Sequence, residues 1–321
     1  MKRKNNRSGA LLRNYRLAIL GFGSQGQAQA LNLRDSDLTS IIGLPSKSKS
    51  RIAARKAGFK VVTPRQAIDS ADIISVLLPD HKHKELFDKI GDISNKTFIF
   101  AHGLSVAFGL ARLPDSCDTI LIAPHGPGLR LRELYQSGKT FTAFWAVNND
   151  SSGKARQIAK AYAAAIGCPP KNLFKTSFRD EAIGDIFGEQ AVLCGGLVGL
   201  IETGFDTLIR HGLSSESAYL ECVYQLDLII DLIKKFGPAG MFERISKTAA
   251  FGSLENKGKL FDRDMAHKME LLYREIESGR FAKSLMNENK KGMKNLKAKI
   301  RAAQNSPLQK THNSLAQKLS E

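Results

Sequence analysis

The apolar run Leu17-Ala18-Ile19-Leu20 opens directly into Gly21-Phe22-Gly23-Ser24-Gln25-Gly26 and then into a helical pattern. A short continuous apolar run marks a strand buried on both faces. In a G-x-G-x-x-G turn each glycine has work to do. Gly21 permits the tight bend, Gly23 lets the backbone approach a pyrophosphate, and Gly26 allows strand and helix to pack closely. The helix N-terminus then turns free N–H groups and a positive dipole end toward the phosphates. The motif alone is weak. A strand before it, a helix after it and a repeated strand–helix alternation supply the context for dinucleotide binding.

That alternation continues through the first half. Further strands are expected at Ser40–Leu44, Lys60–Val62, Ala71–Pro79, Lys96–Ala101, Asp118–Ala123 and Phe141–Val147, with the first at Arg16–Gly21. Helical stretches at Gly26–Arg34, Ser50–Ala57 and Ser151–Ile166 lie between them. The pattern predicts an α/β fold: an N-terminal Rossmann-type, doubly wound parallel sheet covered by helices. Beyond about residue 176 the grammar changes. Glu181–Gly212, Ser214–Phe236 and Asp264–Glu277 have helical periodicity and no strand signal, so the C-terminal domain is expected to be all helical. The predicted division is a basic tail over 1–15, a Rossmann domain over 16–177, a helical domain over 178–288 and a second basic tail over 289–321.

The net charge of +17 would suit a nucleic-acid binder if it lay on a folded face. Residues 1–16 hold six Lys/Arg and no acid, and residues 289–321 hold eight Lys/Arg and one Glu, leaving only +4 between them. Solvated basic ends account for the charge, so no nucleic-acid partner is expected. No stretch is read as reaching the roughly 18 apolar residues of a membrane span, and the start lacks a signal-peptide core. The expected location is cytoplasmic. Cys117, Cys168, Cys194 and Cys222 have no metal-type spacing and read as buried small hydrophobes.

The end of the second strand selects the cofactor. An NAD site places Asp or Glu there for the ribose 2′-hydroxyl. Here Gly43-Leu44-Pro45-Ser46-Lys47-Ser48-Lys49-Ser50-Arg51 offers hydroxyls and cations and no carboxylate. Such a loop, with Ser48 and Ser50 as donors, suits a 2′-phosphate, hence NADPH.

Several segments together resemble ketol-acid reductoisomerase, over roughly residues 16–290. They are the glycine turn with Ala30-Leu31-Asn32-Leu33-Arg34-Asp35-Ser36; Leu77-Leu78-Pro79-Asp80; Phe100-Ala101-His102-Gly103; Ala123-Pro124 with Gly126-Pro127-Gly128; Asp185-Ile186-Phe187-Gly188-Glu189-Gln190-Ala191-Val192-Leu193-Cys194-Gly195-Gly196; and Ala218-Tyr219-Leu220-Glu221-Cys222, with Phe281-Ala282-Lys283 near the end. The resemblance implies an NADPH- and Mg²⁺-dependent enzyme of branched-chain amino-acid synthesis. Such an enzyme shifts an alkyl group in a 2-acetohydroxy acid, then reduces the 2-keto acid to a 2,3-dihydroxy acid. It also implies a knotted helical domain and a homodimer or higher homo-oligomer with shared active sites. Gly21, Gly23, Ser24, Gln25, Gly26 and Gly128 would hold the cofactor.

Asp185 and Glu189 stand at i and i+4, so on a helix both project from one face. Two bare carboxylates that close repel, and Mg²⁺ between them would be stabilising. The resemblance makes Asp185 the residue bridging two ions and Glu189 a ligand of one. Glu221 and Gln225 repeat the spacing, but the family pattern has a second glutamate where Gln225 stands. A neutral amide offers an oxygen and no charge. His102, ending a parallel strand, matches the family's active-site histidine. His125 replaces a family lysine, and Ser246 matches a substrate-contacting serine whose simpler role is a helix cap. The alkyl shift needs two Lewis acids, whereas hydride transfer needs mainly the nicotinamide and one polarised carbonyl. The expected activity is thus the family reaction with a weakened isomerase step. A reductase of another 2-keto or imino acid and a non-catalytic NADPH-binding relative are the alternatives.

Overall fold

The computed structural model describes residues 10–320. Residues 1–9 of the expected N-terminal tail therefore lie outside the described residues. The chain divides into two compact units, one ending at Gly184 and the other starting at Asp185.

Among the described residues, the first unit is built on one sheet of eight strands: β1 Leu17–Leu20, β2 Ser40–Gly43, β3 Val61–Val62, β4 Ile73–Val76, β5 Thr97–Phe100, β6 Asp118–Pro124, β7 Ala143–Asn149 and β8 Leu173–Lys175. Its order is β3-β2-β1-β4-β5-β6-β7-β8, so the first six follow the Rossmann pattern, with the switch point between β1 and β4. The helices are α1 Ser24–Asp35, α2 Ser50–Lys56, α3 Pro64–Ser70, α4 His83–Lys89, α5 Leu104–Ala107, α6 Gly128–Gln136, α7 Ala155–Ile166 and α8 Phe178–Gly188, the last crossing the boundary between units.

Period-two alternation sends side chains to both faces, and both are covered. Leu17, Ile19, Ile42, Ile73, Ile99 and Ile120 join Leu33, Ile158 and Ile166 on one side. Ala18, Leu20, Ile74, Val76, Phe98 and Phe100 join Ile68, Ile90 and Phe178 on the other. This two-sided burial is why the strands read as continuous apolar runs.

One strand departs from the parallel expectation. β7 runs antiparallel to β6, with Pro124 opposite Ala143. The physical reason lies in α6, which packs along α1 instead of crossing the sheet, so the chain re-enters at the end it left. β8, short and half-exposed, pairs parallel with β7.

Among the described residues, the second unit contains helices only: α9 Gly195–Arg210, α10 Ser215–Tyr219, α11 Leu226–Arg244, α12 Lys247–Leu260, α13 Arg263–Glu277, α14 Arg280–Lys290, α15 Lys294–Gln304 and α16 Pro307–Ser320. The segment expected as a C-terminal tail is thus α15 and α16. α16 packs on α10, where Leu315 joins Ala218 and Tyr219 of α10 and Phe205 of α9 in one buried cluster, and the Tyr219 hydroxyl meets His312 Nδ1 at 2.6 Å. Its basic composition concealed an apolar stripe.

Two expected helices are interrupted. Glu189–Leu193 and Leu220–Tyr224 are π-helical turns, and Cys194 N–H reaches back to Glu189 O at 2.9 Å. A Cβ on Gly195 or Gly196 would lie 2.3 Å from Gln190 O or 2.0 Å from Ala191 O, so the widened turn demands that glycine pair. α11 bends at Gly237-Pro238.

The run Phe178–Arg210 corrects a second expectation. It holds an 18-residue window apolar enough to cross a membrane by length and composition, with almost none of it buried. More broadly, large apolar side chains such as Val198, Leu200, Leu228, Ile230, Phe251 and Leu254 lie exposed along this unit. Cys194 is exposed and Cys222 half-buried, unlike the buried Cys117 and Cys168, because their helices present uncovered faces.

Candidate active site

The glycine turn lies at the C-terminal end of β1. Gly21 has φ +108°, and a Cβ there would sit 2.5 Å from Leu77 O, just past β4. A Cβ on Gly26 would sit 2.5 Å from Gly21 O, whereas one on Gly23 would meet nothing within 4 Å. The turn is therefore closed toward the sheet and open above Gly23. The N-terminus of α1 has no side-chain cap, which leaves its first-turn N–H groups for a ligand.

The loop after β6 closes on this turn. A Cβ on Gly128 would lie 2.1 Å from Ser24 O, and Gln25 Nε2 donates to Gly126 O at 2.9 Å. Gly21, Gly23, Ser24, Gln25, Gly26 and Gly128 are thus brought into one cradle. Beyond the ends of β2, β3 and β4 lies a cavity of about 470 Å³. Pro45, Leu78, Leu86 and Ile90 form its apolar wall, with Arg65, Lys82 and Lys89 around them. In the loop after β2, the Arg51 guanidinium is committed to backbone, donating to Leu44 O at 2.7 Å and Val62 O at 3.2 Å. Arg51 is a clamp between strands, and the half-exposed Ser48 and Ser50 remain beside Lys47 and Lys49.

Two histidines reach the same end of the sheet. His125 follows β6; its Nδ1 meets Thr142 Oγ1 at 2.9 Å and its ring edge meets Phe144 with centroids 4.4 Å apart. His102 follows β5, with Nδ1 3.5 Å from Asp80 Oδ1. Burial opposes the Asp80 charge, but the hydrogen bond from His102 and its charge hold the carboxyl below the usual value. Beside His102, Gly103 N–H donates to the buried Glu181 carboxylate at 2.5 Å. A Cβ on Gly103 would lie 2.2 Å from Phe178 O, so only glycine lets this loop meet the head of α8. His102 and Glu181 offer ligand atoms within 4.8 Å of each other, and Asp185, one turn along α8, is as close to Glu181.

Asp80, His83, Ser105 and Glu181 were missed by reading the sequence for sites. For two of them a signal existed. Asp80 follows a buried strand directly, and Glu181 begins an acidic i, i+4, i+8 series with Asp185 and Glu189.

Among the residues of the second unit, Asp185 and Glu189 are exposed, as are Glu221, Gln225 and Ser246. Glu189 begins one π-helical turn and Glu221 is the second residue of the other, a distortion frequent at functional sites. Gln225 Nε2 donates to Glu221 Oε2 at 3.3 Å, so the amide faces the carboxylate with its nitrogen. Ser246 caps α12, accepting Ala249 N–H at 3.1 Å. Among the described residues, Glu189 and Glu221 join no group of three ligand atoms within 4.8 Å.

Residues 11–171 match the family description "Acetohydroxy acid isomeroreductase, NADPH-binding domain", and residues 178–321 match "Ketol-acid reductoisomerase, C-terminal domain". The chain belongs to the ketol-acid reductoisomerase family. It is a pyridine-nucleotide-dependent oxidoreductase acting on a keto acid. An NADH-preferring ketol-acid reductoisomerase from an uncultured archean is similar along nearly its whole length. The two are 32% identical, with 96% of each chain covered and a TM-score of 0.92. Two more distant structures share the fold alone. A semialdehyde dehydrogenase NAD-binding protein from Cupriavidus necator has 17% identity, 80% and 98% coverage and a TM-score of 0.60. A pyrroline carboxylate reductase from Plasmodium falciparum has 14% identity, 83% and 98% coverage and a TM-score of 0.53.

Proposed function

We propose that the chain is an NADPH-using, Mg²⁺-assisted enzyme that converts a 2-acetohydroxy acid to a 2,3-dihydroxy acid in branched-chain amino-acid synthesis, with reduction retained more fully than isomerisation. The observation that carries this is the Gln225–Glu221 hydrogen bond at 3.3 Å. At that place the family pattern has two carboxylates, and here one is neutral.

The cradle at Gly21–Gly26 and Gly128 would hold the pyrophosphate, and the apolar cavity beside Pro45 and Leu78 would take the adenine. Ser48 and Ser50, flanked by Lys47 and Lys49, favour a 2′-phosphate through charge-assisted hydrogen bonds. The nicotinamide supplies the hydride when bound. Asp185 and Glu189 offer the hard oxygens that Mg²⁺ prefers, Glu221 adds another, and Gln225 can contribute only its amide oxygen after turning over. When bound, the metal supplies Lewis-acid polarisation of the substrate carbonyl. His102 holds a proton beside the reacting carbon, Ser246 contacts the substrate, and His125 stands where the family keeps a fixed positive charge.

A second copy of the chain is expected to complete the site and to cover the apolar faces of the second unit. Exposed apolar surface on this scale marks an interface. Lipid is a poor occupant for Phe178–Arg210, because Asp185, Glu189, Glu202 and Asp206 lie on it and a charge at the bilayer centre costs about 2.5–3.5 kcal/mol.

The test is NADPH oxidation with 2-acetolactate and with 3-hydroxy-3-methyl-2-ketobutyrate across a Mg²⁺ titration. The second substrate should turn over efficiently and the first poorly, and Gln225→Glu with His125→Lys should narrow the gap. Equal, efficient turnover of both at ordinary Mg²⁺ refutes the weakened step. Turnover of neither, with another 2-keto or imino acid accepted, favours the reductase alternative that the same neutral amide supports. Tight NADPH binding with no turnover favours a non-catalytic relative.

A further inference from the structure

The cavity beyond the ends of β2, β3 and β4 has two helical walls of unequal firmness. One is the head of α3. Pro64 stands in its first turn, Thr63 Oγ1 accepts Gln66 N–H, and the Gln66 side chain accepts Thr63 N–H in return. Such a reciprocal cap fixes the start of a helix, and Ala67 and Ile68 behind it are fully buried. The other wall is α4, of seven residues. His83 at its start is buried, but Leu86 and Phe87 are half-buried. The ion pairs Lys84–Asp88 and Lys89–Glu85 join α4 to itself, on its exposed surface. A helix this short keeps its place by packing rather than by propensity, so the C-terminal end of α4 has little of its own to hold it.

Arg65 crosses from the first wall to the second. Its Nη1 donates to the carbonyl of Ile90, the residue that caps α4, and to Asp92 O at 3.3 Å. The backbone curls round that nitrogen. Gly91, between the two carbonyls, has φ +71°, and a Cβ on it would lie 3.2 Å from Nη1. Carbonyls at a helix C-terminus lack intrahelical partners and carry the negative end of the dipole, so a guanidinium answers both needs at once. Asp69, one turn along α3, takes Nε at 3.0 Å and so aims the rest of the fork at the loop. Ile90, whose carbonyl is held, lines the cavity, as do Leu86, Pro45 and Pro64.

We infer that Arg65 is a positioning residue for the adenine end of the cofactor, tying the C-terminal end of α4 to the fixed head of α3 so that the two walls stand at a set distance before a ligand arrives. The role rests on reading this cavity as the adenine pocket. Arg65 acts through Ile90 and Leu86, because its guanidinium is engaged with backbone and with Asp69. Walls set in advance accept a flat ring without the cost of ordering them during binding.

The test titrates the full chain by calorimetry with ADP, inorganic pyrophosphate, NADPH and NADH, and so needs no turnover. Wild type should bind ADP more tightly than pyrophosphate, the difference being the adenosine. Arg65→Met keeps the aliphatic stem and removes the donors. It should weaken ADP and the preferred dinucleotide by the same factor, on the order of tenfold, and leave pyrophosphate unchanged. In turnover, the cofactor KM should rise by that factor while kcat at saturating cofactor holds. Arg65→Lys, a donor without the fork, should recover part of the affinity. A merely structural role would lower the urea midpoint and leave the ratio of ADP to pyrophosphate affinity as in wild type. That result overturns the inference, as does an equal loss for both ligands. Should Arg65→Met not fold, Asp69→Ala keeps the guanidinium but no longer aims it, and should weaken ADP roughly two- to threefold; an unchanged ratio there is equally decisive against the role. A wild type that binds ADP no tighter than pyrophosphate sinks the adenine reading and the role of Arg65 with it. Adenosine-dependent binding that is indifferent to both variants sinks only the role of Arg65.

Discussion

Replacing Tyr162 with Phe removes one oxygen from a buried file of side-chain hydrogen bonds. Ser75 Oγ donates to the Tyr162 hydroxyl at 2.7 Å, and that hydroxyl donates to Gln29 Oε1 at 2.8 Å. Gln29 Nε2 then donates to Gln25 Oε1 at 3.1 Å, and Gln25 Nε2 to Gly126 O at 2.9 Å. Ser75, Tyr162 and Gln29 are each no more than 2% exposed, so water cannot replace the missing partner. The substitution orphans one donor, on Ser75, and one acceptor, on Gln29. At about 1–3 kcal/mol for each buried unsatisfied group, with some relaxation between neighbours, the expected loss is roughly 2–4 kcal/mol. The change in ring polarity is small beside this. Burial also pushes the Tyr162 phenol far above its ordinary value, so the loss should not vary with pH across the neutral range.

The assay is urea unfolding followed by the fluorescence of Trp145, the single tryptophan, which is buried in β7 and so reports on the first unit. Adding Ser75→Ala to Tyr162→Phe removes one of the two orphans and should restore about 1 kcal/mol. Affinity for the nicotinamide cofactor should weaken several-fold, because Gln25 loses the support that sets it beside the glycine turn. A Tyr162→Phe chain within about 0.5 kcal/mol of wild type at unchanged m, or a double variant less stable than the single one, would refute the reasoning.

Two further outcomes are expected. Burial holds His83 below the ordinary histidine value of about 6.5, so the unfolded chain binds that proton more readily. Its contribution to stability is full above about pH 6.5 and is lost as pH falls below it, at up to about 1.4 kcal/mol per unit until the folded value is passed. Between pH 7.5 and 5.5 the Trp145 unfolding midpoint should fall less in His83→Gln than in wild type; parallel slopes would count against the buried neutral ring. Placing charge on the uncovered helices, as in Leu228→Lys with Leu254→Lys, should yield monomers in sedimentation velocity and abolish turnover while nicotinamide-cofactor binding by the first unit survives. A wild-type chain that sediments as a monomer would remove the basis for this.

The sheet was legible in the sequence because each central strand is buried on two faces, which leaves a local mark: an unbroken run such as Leu17–Leu20 or Ile73–Val76. The glycine turn was legible for a related reason, since close backbone approach excludes every other side chain at Gly21 and Gly26. The acidic pair Asp185 and Glu189 stands out by its i, i+4 spacing, and the family was legible from motifs in order. β8 left no such mark, being three residues long and half-exposed. α16 was hidden by its lysines, because an apolar stripe of few residues does not alter composition.

Other features depended on three-dimensional placement alone. Nothing in the run Phe141–Val147 says that it enters the sheet antiparallel; that follows from α6 lying along α1. The π-helical turns at Glu189 and Glu221 cannot be told from ordinary helix by a periodicity that one extra residue barely shifts. Arg51 counts in the sequence only as one more cation of the loop after β2, and the structure spends it on the carbonyls of Leu44 and Val62, because the direction of a side chain is set by whatever the fold brings near it. The grouping of Asp80, His83, His102 and Ser105 joins residues up to 25 positions apart across two strand ends. Sequence fixes what each of these groups can donate or accept, and only the packed chain decides which of them meet.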